Sequence, residues 1–172
     1  MMDIFCEYIV KKRIGVIDVL KLIALAALAV IVAYLVLLFG SFFLGSGVGL
    51  VLAFVVLYFA YKFSKDMFVE YEYALTNNEL DIDKILGKSR RKHVITVDFK
   101  TVEICASIND NRFTSEYNTS VSKILDVTGK SDNEIYFINF TTDQGRTRVL
   151  FQPTDKMKDG LKLVNPRAIH II

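Results

Sequence analysis

The side chains able to do chemistry are few, and their spacing argues against it. His93 and His170 are the only histidines, and neither stands at a spacing from Ser, Cys or a carboxylate that makes a general base or a metal ligand. Glu70 with Glu72, and Asp81 with Asp83, are carboxylates two residues apart, the kind of pair that general acid–base chemistry uses. Each pair alternates with apolar residues, so a strand with one wet face accounts for it without catalysis. No glycine-rich loop is present to cradle a phosphate, and no spacing calls for a cofactor or a metal. A non-enzymatic protein is the expectation, with no catalytic residue assigned.

Lys88, Arg90, Arg91 and Lys92 form the one charge cluster of interest in the segment after the apolar run. A cation near an anionic leaflet is worth about 1 kcal/mol, so the four are candidate contacts to lipid or to a partner. The competing reading is a solvated strand edge whose charges discourage unwanted sheet pairing. A net charge of +2 without a long basic stripe gives no reason to expect nucleic acid. Cys6 and Cys105 are the only cysteines, which leaves no disulfide framework and suits a reducing compartment.

The elements that must position these groups begin with residues 22–61, forty residues without Asp, Glu, Lys, Arg or His. A hydrocarbon core of about 30 Å is crossed by about 20 helical residues, so this run is twice one span and folds back as a hairpin. Gly40-Ser41 and Gly45-Ser46-Gly47 mark the turn, which predicts helices over about 20–39 and 45–63. Twelve Leu, Ile, Val and Phe residues between 22 and 39, at roughly −0.5 kcal/mol each, favour insertion by about 6 kcal/mol with no charge opposing them. The stretch is longer than the apolar part of a signal peptide, and a second span follows it at once. Lys11, Lys12, Arg13 and Lys21 precede the first span and Lys62 and Lys65 follow the second, while the turn carries no cation. The positive-inside rule therefore predicts a multi-pass cell-membrane protein with both termini and the carboxy-terminal domain in the cytoplasm.

Gly45, Gly49 and Ala53 recur every four residues, and Ala26, Ala29 and Ala33 make a similar small stripe on the first helix. Small stripes let helices approach closely in lipid, either within the hairpin or, through the Gly45–Gly49 spacing, in a homo-oligomer. Tyr34 alone places a polar group deep in a span, so no intramembrane acid, base or ion path is evident. Residues 1–19 mix charge with Ile4, Phe5, Ile9, Val10, Ile14, Val16 and Ile17. Two readings stand side by side: an interfacial helix with Lys11, Lys12 and Arg13 toward headgroups, or a plain cytoplasmic lead-in.

Residues 64–172 suffice for one cytoplasmic domain, and their period is that of strands. Val69, Tyr71, Tyr73 and Leu75 alternate with Glu70, Glu72 and Ala74, which puts the carboxylates on the wet face. Thr76-Asn77-Asn78 turns the chain into a return strand carrying Leu80 and Ile82, and Gly87-Lys88 turns it again. Further strands are expected over about 90–98, 101–107, 121–128, 134–142 and 146–151, with a polar, aperiodic insert at 109–120. Thr154 is a helix cap, Met157, Leu161 and Val164 share one face, and Asn165-Pro166 ends the helix. Seven antiparallel strands and one helix is the expected order, an α+β chain.

That order is the order of the pleckstrin-homology (PH) fold, a seven-stranded barrel or sandwich with a carboxy-terminal helix. The wording Tyr71-Glu72-Tyr73-Ala74-Leu75-Thr76-Asn77-Asn78-Glu79-Leu80-Asp81-Ile82-Asp83, with Gly87 and Arg90-Arg91-Lys92, resembles the opening hairpin of bacterial PH-like membrane proteins. It is similar in particular to an uncharacterised family of small Gram-positive membrane proteins with two transmembrane helices and a PH-like domain. In PH domains that bind phosphoinositides the basic ligands lie around the first hairpin turn. Here that turn is Thr76-Asn77-Asn78, without a cation, so the resemblance does not imply selective inositide binding. Two roles follow for a chain whose first partner is the bilayer. One is a scaffold or protein-interaction module at the membrane face, engaging a protein through a sheet edge or residues 109–120. The alternative is an anionic-lipid sensor using Lys88, Arg90, Arg91 and Lys92.

Overall fold

The computed structural model describes residues 5–170, apart from the side chains of Leu44 and Ser46; Ile4 lies outside the described residues. The chain divides into two units, one of residues 14–69 with 86–88 and one of residues 5–13, 70–85 and 89–170.

The first unit is a helical hairpin of α1 (Val16–Leu44) and α2 (Ser46–Asp66). At 29 residues α1 is about 44 Å long and extends beyond the expected 20–39 in both directions, to Val16 at its start and, because Gly40 and Ser41 stay helical, to Leu44 at its end. The chain reverses on Gly45 alone, whose φ of 91° is open to glycine and strained for other residues. Where the helices meet, a Cβ on Gly49 would lie 2.5 Å from Ser41 Oγ and 2.6 Å from Ser41 N, and one on Gly40 would lie 3.0 Å from Gly49 Cα. Glycine is required there for the backbones to approach. Only 11% and 6% of the most apolar stretches of the two helices are buried inside the molecule, unlike the core helices of a compact globule. They are long and apolar enough to span a membrane.

The second unit is built on two sheets. One holds β1 (Phe5–Lys11), β2 (Val69–Thr76), β3 (Glu79–Leu86) and β4 (Arg90–Asp98) in that order. The other runs β6 (Lys123–Asp126), β8 (Gly145–Phe151), β7 (Tyr136–Thr142), β5 (Ile104–Ser107) and β9 (Ile169–His170). Tyr73, Leu75, Leu80, Ile82, Phe99, Tyr136, Ile138 and Phe151 are buried, and α4 (Asp155–Val164) adds Met157 and Leu161. Each such side chain contributes roughly 1.5–3 kcal/mol. The cap of α4 forms as its sequence requires, with Thr154 Oγ1 accepting the Met157 N–H at 3.4 Å.

Three expectations are corrected. The described residues form nine strands, not seven, and no closed barrel; β6 pairs in parallel with β8 and β9 with β5, so the strands are not all antiparallel. The amino-terminal segment is neither an interfacial helix nor a lead-in. Phe5–Lys11 is a strand paired with β2, Lys11 opposite Glu70 and Phe5 opposite Thr76, because Cys6, Tyr8 and Val10 alternate inward at period two. The expected boundaries near residues 19 and 63 give way accordingly: the hairpin is an insertion between two neighbouring strands of one sheet. Third, residues 109–120 are not a bare loop. They form a short 3-10 turn (Asn111–Phe113) and a brief helix α3 (Thr114–Asn118).

Candidate functional site

The outer face of the first sheet gathers the residues that sequence reading had left apart. Pairing places Ile9 of β1 opposite Glu72 of β2, and Glu7 opposite Ala74, so these side chains share one surface. Asp81 and Asp83 of β3 and Arg91 and His93 of β4 complete it, enclosing an open groove of about 300 Å³. Glu72 lies on the expected side of its strand but is buried, with Arg91 Nη2 donating to its Oε1 at 3.1 Å. Desolvating a carboxylate this far is tolerable only with such a partner. Across the groove His93 Nδ1 lies 2.9 Å from Asp83 Oδ1 and its Nε2 lies 3.3 Å from Thr96 Oγ1, which itself donates to Asp81. Among the described residues no group of His, Cys, Asp and Glu has the arrangement of a metal site.

The pleat separates the basic cluster. Arg91 turns into the groove with His93, whereas Arg90 and Lys92, its neighbours on β4, alternate to the other face. Lys88 sits in the β3–β4 turn at a φ of 59°, next to Gly87, whose N–H donates to Phe68 O at 3.0 Å just beyond α2. Within β4, Arg91 is therefore set apart from Arg90 and Lys92. Of the small residues, Ala29, Ala33 and Gly49 are buried and Ala53 is half-buried, Ala26 is exposed, and Gly45 is the break between the helices. Glu7 was missed because its strand lies more than fifty residues before its partner. Its alternation with Cys6, Tyr8 and Val10 was the available signal.

The second sheet is different on its outer face. Phe113 and Tyr117 of the 109–120 insert pack over Ile104, Ala106, Phe137 and Leu150. Arg148, only 5% exposed, holds the insert down: its Nε donates to Asn139 Oδ1 at 2.9 Å and its Nη2 to Glu116 O at 3.0 Å and Thr119 O at 3.1 Å. The Tyr117 ring lies 5.0 Å from its guanidinium. Burial depresses the Arg148 pKa from its usual value, though a guanidinium stays charged. The Cys105 thiol, wholly buried, is pushed well up by desolvation and is no nucleophile.

A family model described as "Bacterial PH-like domain (DUF6106)" matches residues 2–171. Comparison with curated proteins and with solved structures found no match in either.

Proposed function

The chain belongs to this bacterial PH-like domain family, and from that premise we propose that it is a non-enzymatic scaffold, a protein-interaction module held at the cytoplasmic face of the cell membrane by its own hairpin. One observation carries the reading: the two ends of the apolar hairpin run into β1 and β2, which are paired residue by residue from Phe5–Thr76 to Lys11–Glu70. Paired strands share one side of a bilayer. The segment between them therefore crosses an even number of times, and two helices of 29 and 21 residues supply two crossings. Lys11, Lys12, Arg13, Lys62 and Lys65 then put that side in the cytoplasm. The open outer face of the first sheet is the surface the module offers, and the partner class that fits it is protein.

The test is affinity capture of the full-length protein from detergent-solubilised membranes, beside vesicle binding of the same protein. The reading expects a protein partner retained through high-salt washing, and protease access to the strand domain in inverted but not in intact vesicles. A chain recovered alone, cut from outside intact cells, would refute it. Lys88, next to Gly87 and its bond to Phe68 at the end of α2, favours anionic-lipid contact as the second reading. In that case Lys88→Ala weakens the association of the domain with anionic vesicles in a salt-sensitive way, and no protein is captured.

A further inference from the structure

We propose, resting on the interaction-module reading, that the outer face of the first sheet is where the partner docks, and that the docked segment is cationic with apolar side chains between its charges. The two sheets of this domain are finished differently. The second has its outer face covered by the chain's own Phe113 and Tyr117, with Arg148 fastening the cover. The first leaves Phe5 58% and Ile9 48% exposed on β1, on the same surface as the groove. Apolar side chains next to a concave polar site are what a partner's apolar residues would cover.

Charge identifies the occupant. Glu7, Glu72, Asp81 and Asp83 are four carboxylates against the single guanidinium of Arg91, so, His93 aside, the acidic groups lining the groove outnumber the basic one by three. An anionic leaflet is repelled by such a surface, whereas a lysine or arginine side chain matches it twice. Its aliphatic stem lies along Ile9 and Ala74 while its charged end reaches the carboxylates. A groove of about 300 Å³ accepts side chains, not a folded domain, so the partner presents an exposed segment.

The experiment uses the full-length protein in nanodiscs of zwitterionic phosphatidylcholine, with empty discs as the blank. The probe is a fluorescein-labelled peptide of alternating Lys and Val, compared with one of alternating Glu and Val. The Lys peptide is expected to bind and the Glu peptide not. Removing two charges with E7Q/D81N weakens binding about tenfold, whereas D132N/D143N, the same charge change elsewhere, alters it less than about twofold. Ile9→Ser weakens binding without altering charge. Should E7Q/D81N fail to fold, Glu7→Gln alone, on an exposed side chain, carries the expectation with a smaller loss. Equal weakening by the two double variants, no effect of Ile9→Ser, or equal binding of the Glu peptide overturns the proposal. If the protein captured from membranes is still held by E7Q/I9S, this surface is wrong and the module reading stands. If nothing is captured, the module reading itself has failed.

Discussion

Glu134 shows how a single side chain can tie stability to pH. The Ser107 hydroxyl donates to it, Tyr136 Oη donates at 3.1 Å and Asn109 lies near, and together they hold its carboxyl below the usual range against the opposing effect of burial. Asp98 is lowered in the same sense by the Lys100 N–H and Asn78. A carboxylate depressed in the folded state contributes stability above its unfolded pKa, about 4, and loses it as pH falls through the folded value. The melting temperature is therefore expected to hold from neutrality to about pH 5 and to fall below about pH 4. Glu134→Gln should flatten that descent, as followed by near-ultraviolet circular dichroism; an unchanged profile would dismiss the role. Gly129 acts through shape. A Cβ there would collide with Lys11 O and Val10 Cγ1, where Lys130 N also donates to Lys11 O at 2.6 Å. Gly129→Ala should cost about 1–3 kcal/mol in chemical denaturation, because the clash is with backbone that cannot yield cheaply.

At the scale of elements, what could be read from the sequence was local. The β2–β3–β4 meander, the β7–β8 hairpin and α4 follow from alternation, turn residues and the Thr154 cap, all set within a few neighbouring residues. Elements that depend on distant partners were misjudged. β1 is a seven-residue strand whose mate begins at Val69, and the two-residue β9 exists only because β5 offers it an edge; β6 lies within the strand expected over 121–128, but its parallel pairing with β8 has no local signal. The insert was illegible for a related reason. Residues 109–120 have no period, and what folds them is Arg148 and Phe137 on strands that come later in the chain. The candidate site shared this fate: its carboxylates and Arg91 were visible one by one, but their assembly required Glu7 to arrive on β1. One consequence is measurable. Arg148→Met leaves Asn139 Oδ1 and Thr119 O without this donor, and Glu116 O with only the Asn139 amide at 3.3 Å, and should cost about 2–3 kcal/mol. Hydrogen exchange should rise across residues 109–120 while β7 and β8 stay protected. Equal loss of protection in the sheet would mean that the insert and the sheet unfold as one.

For the whole molecule, the position of the hairpin decides what can exist without it. A chain starting at Ser64 keeps eight strands and loses β1, and with it the buried Val10 and Cys6, the half-buried Tyr8 and the pairing of seven residues of β2. At roughly 1.5–3 kcal/mol for each large apolar side chain that loss is on the order of 3–6 kcal/mol. Domains of this size are stable by about 5–15 kcal/mol, so the truncated domain is brought to the edge of unfolding with an open strand edge to aggregate through. Deleting the hairpin while keeping β1 has the opposite effect. Lys11 already lies across from Glu70, so replacing residues 14–68 with a glycine-containing turn of about four residues closes β1 onto β2 as an ordinary hairpin. The joined protein is expected to be water-soluble and to retain the near-ultraviolet spectrum of the full chain. Its two cysteines, both buried, should resist thiol reagents until denaturant is added. The fragment from Ser64 should show a lower denaturation midpoint and early labelling of Cys105. Equal midpoints for the two would mean that β1 adds nothing to the fold, and the argument that its pairing forces both ends of the hairpin to one side of the bilayer would fall with it.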